Sequence, residues 1–414
     1  MEDLPLEIQP LVMSLLSLKD AARTSLVARN WRKLWTCYPN LCFAGSNDWT
    51  TEEDIIKIRR AKFIKTVNSI IQQHNGIDLN KFSIRFGLKK NFVNHLDRWI
   101  HFATASKARI IEINLWPKME RREPGIKVYN FPLEALGAQG SPFIVSLFLK
   151  DVSIKPRSDI GGFTKLRRLL LHDVEISGDL PGSLKNCFSL EDLELIACTG
   201  VAELYVPHQL DKLQYLQISR MCVQKIDFHV TGLTHFEYKG SMTYIVLHGC
   251  SKLEKVVLSS KSCSFVKDNN ALVHAFTAIP SISAVKVLHL YSDMKAHPPV
   301  WTSQMTGPMY AFMFLRHLTC EIRIFTEEPN HHDGILQFAR YLGVAPRLEM
   351  LQLHLMYYTQ ISECWHGEAT GEEVSSCMGG LQHLKMVYMS GFRCYRPQIL
   401  LLCGILKKGT SVDS

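Results

Sequence analysis

Apolar residues near the N-terminus recur every three or four positions: Ile8, Leu11, Val12, Leu15 and Leu16. This spacing places them on one side of an α-helix, which Asp3 and Pro5 can begin. After a short turn, Asp20 can cap a second helix, and the spacing of Trp31 and Leu34 predicts a third. We expect these helices to lean on a partner or on the next domain, because a unit of about 40 residues is near the limit of independent folding.

The segment 46–105 then alternates helix-like and strand-like patterns. Helices are predicted over residues 51–73 and 91–105. A strand is predicted over residues 81–86, because its two phenylalanines and the isoleucine between them share one face. Helix and strand therefore begin to alternate in this segment, which indicates an α/β chain.

From residue 110 onwards the dominant pattern is a hexad, L-x-x-L-x-L, in which other apolar residues replace some leucines. Its eleven copies have these apolar positions: Ile110/Ile113/Leu115, Ile144/Leu147/Leu149, Leu166/Leu169/Leu171, Leu190/Leu193/Leu195, Leu213/Leu216/Ile218, Leu233/Phe236/Tyr238, Leu253/Val256/Leu258, Val285/Leu288/Leu290, Leu315/Leu318/Cys320, Leu348/Leu351/Leu353 and Leu381/Leu384/Met386. Between residues 147 and 256 the middle positions lie 22, 24, 23, 20 and 20 residues apart, within the period of leucine-rich repeats, and later spacings widen to 30–33.

The hexad predicts the architecture as well as the repeat. Its last two apolar positions share a face of a short strand and its first lies at the start of that strand, so a repeat buries them only by stacking on its neighbours. We therefore expect an irregular leucine-rich-repeat solenoid, a curved parallel sheet with helices or loops outside. The residues beside the leucines are predicted to point outward and face a ligand: Arg168, Leu170, Glu194, Gln217, Glu237, Gln352, His354 and Lys385. For any one of them alone, a solvated strand position is the more common explanation.

A near-continuous series of motifs covers the first 41 residues. It runs Leu-Pro-Leu-Glu-Ile at 4–8, Leu-Leu-Ser-Leu-Lys-Asp-Ala-Ala-Arg-Thr-Ser at 15–25, Val-Ala-Arg-Asn-Trp-Arg-Lys-Leu-Trp at 27–35 and Tyr-Pro-Asn-Leu at 38–41. This series resembles the F-box of plant F-box proteins. The resemblance implies docking onto the Skp adaptor of a cullin-RING ubiquitin ligase through Leu4, Pro5, Ile8, Val12, Leu15, Leu16, Val27, Trp31 and Leu34. For each of these residues, packing among the three helices is an equal alternative.

Three residues depart from the F-box pattern: Pro10 inside the first helix, Ser17 where proline is common, and Ala28 where serine is common. Pro10 has the largest physical consequence. In the middle of a helix it would cost about 3 kcal/mol, but in the first turn almost nothing, because the first N–H groups of a helix have no intrahelical partner. A weakened affinity for the adaptor is therefore one prediction.

The C-terminal hundred residues carry a second resemblance. The run Leu-Glu-Met-Leu at 348–351, the Gly-, Glu- and Ser-rich stretch 367–380, and residues 381–393 followed by a helix-like segment at 397–406 resemble the FBD-type region of plant F-box/leucine-rich-repeat proteins. That family continues with a short strand, so the last cap of the sheet is expected to be incomplete. The predicted domains are 1–45 (F-box), 46–109 (connector), 110–310 (leucine-rich repeats) and 311–414 (FBD-like repeats and cap).

Composition narrows the function classes. With 414 residues, 46% of them hydrophobic, the chain is expected to form two or more units. The formal net charge of +8 is spread along the whole sequence, which disfavours a nucleic-acid-binding solenoid. The twelve cysteines are scattered without a Cys-x-x-Cys pair, which favours reduced thiols buried as small hydrophobes. No apolar run approaches about 18 residues, and the N-terminus is acidic, so an intracellular protein of cytoplasm or nucleus without a membrane segment is predicted.

Motifs for catalysis are absent from the sequence. It contains no phosphate-binding glycine loop, His-Glu-x-x-His or Gly-x-Ser-x-Gly, so a non-catalytic chain without cofactor or metal is predicted. The run His331-His332-Asp333 is interpreted as a polar turn, and Cys37 and Cys42 as packing residues. Three hypotheses follow: a substrate receptor of a ubiquitin ligase with an unknown target protein, a leucine-rich-repeat scaffold whose F-box no longer docks because of Pro10, and the disfavoured nucleic-acid-binding solenoid.

Overall fold

The computed structural model of the chain describes residues 8–27, 34–45, 52–77, 79–88, 90–116, 128–139, 142–157, 163–241, 243–260, 271–295, 309–359, 364–367, 372–376 and 378–409. The chain divides into two compact units, Met1–Val201 and Ala202–Ser414. Each unit is built on a parallel sheet, as the hexads predict. None of the helices that the structure describes combines the length and the apolar character needed to cross a membrane.

The first unit alternates helices with short strands. Its described helices are α1 (Gln9–Leu15), α2 (Leu18–Val27), α3 (Glu53–Gln73), α4 (Val93–Ala105), α5 (Leu133–Gln139) and α6 (Leu180–Leu184), with a 3-10 turn at Lys90–Phe92. Its strands are β1 (Asn40–Ala44), β2 (Lys81–Arg85), β3 (Ile110–Asn114), β4 (Tyr129–Asn130), β5 (Ser146–Lys150), β6 (Val152–Ile154), β7 (Arg168–His172), β8 (Glu175–Ile176) and β9 (Asp192–Ile196). The main sheet has the order β1-β2-β3-β5-β7-β9, and a second sheet has the order β4-β6-β8.

The second unit has the same plan with longer strands. Its described helices are α7 (Ala271–Thr277), α8 (Phe338–Gly343), α9 (Glu372–Ser376) and α10 (Arg396–Lys408), with 3-10 turns at Pro280–Ile282 and Asp333–Gln337. Its strands are β10 (Glu203–Gln209), β11 (Tyr215–Ser219), β12 (Lys225–His229), β13 (His235–Gly240), β14 (Tyr244–His248), β15 (Lys255–Ser260), β16 (Val287–Lys295), β17 (His317–Phe325), β18 (Met350–Tyr358) and β19 (Met386–Ser390). The main sheet has the order β11-β13-β15-β16-β17-β18-β19, and a second sheet has the order β10-β12-β14.

The hexad leucines form buried ladders across neighbouring strands. In the first unit Leu147, Leu169 and Leu193 are paired in register across β5, β7 and β9, and all three are buried. In the second unit a separate ladder runs through Leu288, Leu318 and Leu351. Full burial of such a side chain contributes about 1.5–3 kcal/mol, but only where the neighbouring repeat covers it. The predicted α/β fold class, a leucine-rich-repeat array with a parallel sheet, is confirmed.

The first and last predicted hexads are wrong in register. Ile111 and Ile113 pair with Leu147 and Leu149, so the first copy is shifted by two residues and begins at the buried Ala108. At the other end Leu351 pairs with Val387, which shifts the last copy by three residues and leaves Met386 exposed. In both places apolar residues are adjacent in sequence, so the pattern fits more than one register. Pairing with the neighbouring strand decides between them.

The parallel sheet also begins earlier than the hexads predict. Leu41 of β1 pairs with Phe82 of β2, which pairs with Ile111 of β3, and all three are buried. The residues Tyr38/Leu41/Phe43 and Leu79/Phe82/Ile84 therefore complete two further copies of the pattern, with aromatic residues in place of leucines. Strand β1 lies inside the segment predicted as a purely helical F-box. The predicted domain boundaries stay a prediction.

A left-handed residue ends several consecutive strands. Asp151, Asp173 and Ala197 follow β5, β7 and β9 directly and have φ of 56°, 53° and 53°, and Arg220 has φ of 56° directly after β11. Only a few per cent of non-glycine residues adopt this conformation, and aspartate tolerates it better than most. The recurrence shows that successive repeats turn out of the main sheet through the same local geometry.

Two histidines, the buried His74 and the half-buried His274, link loops to the cores of their own units. In the first unit Gly76 N–H donates to His74 Nδ1 (2.9 Å), so Nε2 carries the proton and donates to the Tyr38 carbonyl (2.8 Å). In the second unit His274 Nε2 donates to the Thr243 carbonyl (2.8 Å). Burial lowers the pKa of both imidazoles, and the hydrogen bonds to the carbonyls only partly oppose it.

These histidines are expected to make the protein less stable in mild acid. The unfolded imidazoles bind a proton as the pH falls through about 6.5, whereas the folded ones stay neutral until a lower pH, so the free energy of unfolding falls with the pH in that window. Urea midpoints at pH 7.5 and 5.5 measure the loss. His74→Gln and His274→Gln should each reduce this pH dependence, whereas exchange of the exposed His383 for glutamine should leave it unchanged. Equal midpoints for the wild-type protein at the two pH values would contradict the expectation.

Candidate functional site

Helix α1 begins at Gln9, with Ile8 as its N-cap residue and Pro10 within its first two positions. The sequence predicted that the helix begins at Asp3 and Pro5, and the observed start at Gln9 replaces that prediction. At this position Pro10 lacks only a backbone N–H that a helix leaves unpaired in any case. The large cost of a mid-helix proline does not arise.

The start of α2 corrects a second detail. The helix begins at Leu18, and its cap is Ser17 rather than Asp20. Asp20 N–H donates to Ser17 Oγ (3.2 Å), and the Ser17 hydroxyl donates to Asp20 Oδ2 (2.6 Å). Serine at the cap with an acidic residue three positions later satisfies a free N–H of the first turn and places a negative charge where the helix dipole favours it. The departure from proline at residue 17 therefore has a structural role.

Helix α1 has an exposed leucine face and a small buried face. The side chains of Ile8, Leu11 and Leu15 are 43%, 62% and 80% exposed, whereas Met13 on the other side is 1% exposed. The Thr24 hydroxyl of α2 contacts the Met13 sulfur (3.7 Å), and the Tyr38 hydroxyl donates to the carbonyl of Leu16 (2.6 Å). Met13 and the buried Ala21 of α2 therefore hold the helices to the unit, while the bulkiest aliphatic side chains face solvent.

The other predicted adaptor-binding residues fall into two groups. Val12, Leu16 and Leu34 are half-buried, so they both pack and contribute to the surface. Leu4, Pro5 and Trp31 lie outside the described residues, and so does the side chain of Val27. Sequence periodicity did not identify Met13 as the inward residue. An apolar stripe on a helix does not show which side of the helix the rest of the chain covers.

In the first unit two predicted ligand-facing residues lie on the outward face of the main sheet. Arg168 of β7 forms an ion pair with Asp192 of β9 (2.8 Å), and Glu194 of β9 accepts from His172 Nε2 (3.1 Å). The neighbouring outward side chain Leu170 is half-buried. The two predicted residues are therefore held by cross-strand partners, which fixes their positions relative to each other.

A carboxylate on the same face lies among basic side chains. Glu112 of β3 accepts from Lys81 Nζ (2.6 Å) and the Ser83 hydroxyl (3.0 Å), and Arg85 Nη2 lies 3.3 Å away. Burial alone would raise the pKa of the Glu112 carboxyl, but the hydrogen bond and charge of Lys81, with Ser83 and Arg85, hold it below its ordinary value. This ladder joins β2, whose repeat the hexad pattern missed, to β3 of the first predicted copy.

In the second unit Gln217 and Glu237 meet around one tyrosine. The Tyr215 hydroxyl lies 3.0 Å from Glu237 Oε2 and 3.2 Å from Gln217 Oε1, and Glu237 also pairs with Lys239. All lie on the outward side of β11 and β13, beside the buried ladder. The structure brings these two predicted residues together and adds Tyr215 to them.

The last three predicted residues lie near the end of the same sheet. Gln352 Oε1 accepts from the Thr319 hydroxyl (3.2 Å), and His354 Nδ1 lies 2.8 Å from Ser390 Oγ. Lys385 occupies a different position, because the last hexad is out of register. It stands before β19 rather than between two buried residues, and its Nζ pairs with Glu349 (2.9 Å).

Longer strands extend this face beyond the positions that the hexad predicts. Strands β16, β17 and β18 run for nine residues each, so they add outward positions beyond the hexad. There Arg323 forms a two-pronged ion pair with Asp293 (2.7 and 2.8 Å), and the rings of Phe325 and Tyr358 stack at 4.7 Å. Met356, the cross-strand partner of Arg323, is exposed. The nine-residue alternation of polar and apolar residues was the signal for these positions.

The structure corrects two interpretations of cysteine and polar residues made from the sequence. Cys37 and Cys42, interpreted as packing residues, are exposed, and only some of the described cysteines are buried, all as free thiols. Asp333 lies in a 3-10 turn rather than a simple polar loop, and pairs with Arg396 (3.0 Å).

Comparison with known proteins matches most of the chain to one family. The model described as "At1g61320/AtMIF1, LRR domain" matches residues 70–414. The chain belongs to this leucine-rich-repeat family. An F-box domain model matches residues 1–42 of this leucine-rich-repeat protein, the segment that carries the exposed face of α1. The resemblance to plant F-box proteins with leucine-rich repeats is thereby confirmed.

Individual relatives of this leucine-rich-repeat protein come from Arabidopsis thaliana. The F-box/FBD/LRR-repeat protein At4g03220 is 25% identical over 245 residues, which cover 54% of this chain and 45% of the relative. The F-box/LRR-repeat protein At2g42720 is 24% identical over 315 residues, covering 70% and 66%, and the FBD-associated F-box protein At1g66310 is 23% identical over 283 residues, covering 66% and 55%. The chain thus spans about half the length of several of the curated relatives it matches.

Proposed function

We propose that the chain is the substrate-recognition subunit of a Skp-cullin-F-box ubiquitin ligase, a non-catalytic receptor that binds a Skp-type adaptor and a target protein. The observation that carries the proposal is the exposed aliphatic face of α1, formed by Ile8, Leu11 and Leu15, within the segment that matches an F-box domain. Three large aliphatic side chains on one helix face are a typical helix-in-groove binding surface. Names of the relatives, which combine F-box and leucine-rich repeats, support the same role.

Burial of the exposed face of α1 against a partner would be energetically favourable. Full burial of an aliphatic side chain contributes about 1.5–3 kcal/mol, and only part of it is gained within the described chain, because Ile8, Leu11 and Leu15 stay 43%, 62% and 80% exposed. The inward contacts of Met13 and Tyr38 fix the helix before any partner arrives, so little conformational freedom remains to be lost on binding. Pro10 does not weaken the helix, which removes the structural reason for a scaffold with a non-docking F-box.

The outward faces of the two main sheets are the proposed target-binding surfaces. They carry fixed charged ladders, such as Arg168 with Asp192 in the first unit and Arg323 with Asp293 in the second, together with the exposed aromatic pair Phe325 and Tyr358. Aromatic anchors beside preorganised charges are the usual composition of a protein-binding surface. The receptor accelerates ubiquitin transfer by proximity, because it raises the local concentration of target lysines near the loaded enzyme.

The adaptor arm of the proposal is tested by binding of the purified chain to a Skp-type adaptor. We combine Ile8→Asp with Leu15→Lys, since aspartate suits an N-cap and lysine suits the end of a helix, so the helix itself is preserved. The dissociation constant is expected to rise at least about 100-fold, as two buried aliphatic contacts are lost. Ile58→Lys on α3, an equally exposed aliphatic position outside the F-box segment, is the matched control and should bind normally.

Two outcomes decide against the proposal. If the wild-type chain does not bind the adaptor, the leucine-rich-repeat scaffold outside a ligase becomes the better function. If the double variant binds as well as the wild-type chain, the exposed face of α1 is not the docking surface. The target arm is tested by affinity capture from a plant lysate, in which Glu237→Lys should keep the adaptor and lose target proteins, because it reverses a charge on the outward sheet face without touching α1.

A further inference from the structure

Three possible metal ligands meet on the second sheet of the second unit, which is separate from the main sheet that carries the proposed target-binding face. Asp227 and His229 alternate along β12 and therefore share a face, and His248 of β14 is the direct cross-strand partner of His229. The opposite face of the same strands is core, where Ile226, Phe228 and Leu247 are buried. The three side chains thus stand on a rigid, packed platform rather than on a loop.

The distances match a single small cation. One donor atom from each of Asp227, His229 and His248 lies within 4.8 Å of the others. The separation of His248 Nε2 and Asp227 Oδ1 is 3.1 Å, and the two imidazole rings stack at 4.4 Å with an angle of 18° between their planes. Donors at about 2.1 Å from a tetrahedral Zn²⁺ ion lie about 3.4 Å from each other, so small side-chain rotations bring all three into place.

The electrostatics of this triad are unusual for a surface. Asp227 is only 7% exposed although it points away from the core, and it is approached by His248 and by Lys225 Nζ at 3.0 Å. A buried carboxylate next to two imidazole rings is a typical donor set for a transition metal ion.

We propose that Asp227, His229 and His248 bind one divalent transition metal ion, with Zn²⁺ the best match to two imidazole nitrogens and one carboxylate oxygen. The ion would connect β12 to β14, and so staple two consecutive repeats of the second sheet. Its fourth coordination position points to solvent and is left for water or an external ligand. Lys225 opposes binding, because its ammonium group at Asp227 Oδ2 places a positive charge beside the ion.

Zinc binding by the full-length chain tests the proposal. After treatment with EDTA and a reductant, the chain is titrated with ZnCl₂ against a chromogenic chelator, which gives both the number of ions and their affinities. Exposed thiols can also bind zinc, so the informative quantity is the difference between matched variants. His229→Gln and His248→Gln should each bind one ion fewer than the wild-type chain and lose the zinc-dependent rise of the melting temperature of the second unit. The exposed His383→Gln is the control and should behave as wild type.

The variant Lys225→Met distinguishes zinc bound at this site from zinc bound at thiols. Removing one positive charge about 5 Å from a divalent ion is expected to tighten binding at this site by at least about tenfold, even at the dielectric constant of water. The same substitution would leave zinc bound at thiols unaffected. Equal stoichiometry in wild type, His229→Gln and His248→Gln overturns the proposal, and so does an unchanged affinity in Lys225→Met. Circular dichroism of each variant shows that a loss of zinc does not come from unfolding.

Discussion

Replacement of Trp99 by alanine is expected to lower the free energy of unfolding of the first unit by about 3–5 kcal/mol. The indole is fully buried on α4, and its Nε1 donates to Asn68 Oδ1 of α3 (2.8 Å). The Phe63 ring packs edge-on against it at 6.3 Å. Truncation leaves a large cavity between the two helices and removes one donor from Asn68. Both losses act on the contact that holds the helices of the first repeats together.

A graded series separates the cavity from the hydrogen bond. Trp99→Phe keeps most of the apolar volume and loses the Nε1 donor, so its cost should be about 1–2 kcal/mol, well below that of Trp99→Ala. Urea unfolding followed by circular dichroism measures both variants against wild type. A loss under about 1 kcal/mol in Trp99→Ala would mean that α3 and α4 repack around the gap, and that this contact does not determine the stability of the unit.

Alanine at Gly391 is expected to destabilise the end of the second unit by about 3 kcal/mol or more. Gly391 follows β19 with φ of 71°, and a Cβ atom there would lie 1.8 Å from the carbonyl oxygen of Leu355. The backbone must move, and the Gly391 carbonyl accepts from Gln398 Nε2 (3.0 Å). Gln398 is fully buried and also accepts from Arg393 N–H (2.9 Å), so the shift breaks a buried network that joins β19 to α10.

Gly380→Ala is the matched control for this substitution. Gly380 precedes the same strand, is exposed, and has open space at its Cβ position, where the nearest side-chain atom, of Gln382, lies 3.8 Å away. Its unfolding free energy should stay within about 0.5–1 kcal/mol of wild type. Limited proteolysis near the C-terminus and thermal unfolding measure both variants. If Gly391→Ala melts with the control, the left-handed turn after β19 is not needed for the terminal repeat.

The stacked sheet was predictable because repetition averages out local ambiguity. Most hexads place two leucines on one strand face, and neighbouring copies such as Leu147 and Leu169 pair as the pattern requires. The predicted register was wrong where a copy had adjacent apolar residues, as at Ile110 and Ile111. Where aromatic residues replaced leucines, as at Phe82, the strand was predicted but not recognised as a repeat. In copies with adjacent apolar residues, only the hydrogen bonds to the next strand select a register, and the sequence of one strand does not show which residues of the next strand it pairs with.

The candidate surfaces depended on tertiary structure in a different way. Periodicity identified the apolar stripe of α1 but could not say which of its residues the chain covers, because a helix face is the same pattern whether it meets its own core or a partner. Packing of Met13 against α2 decided it, and left Leu11 and Leu15 to solvent. Asp227 and His248 are 21 residues apart and share no motif, so only the pairing of β12 with β14 brings them together.

The sequence by itself determined the repeat, the parallel sheet and the presence of a short helical segment before it. At that spacing, periodic apolar residues become buried when successive repeats stack on one another. Only the tertiary structure decided the register of the first and last repeats and the direction in which the leucines of α1 point. It also decided which outward side chains meet across strands. Those features depend on contacts between residues far apart in the chain, and local periodicity carries no information about such pairs.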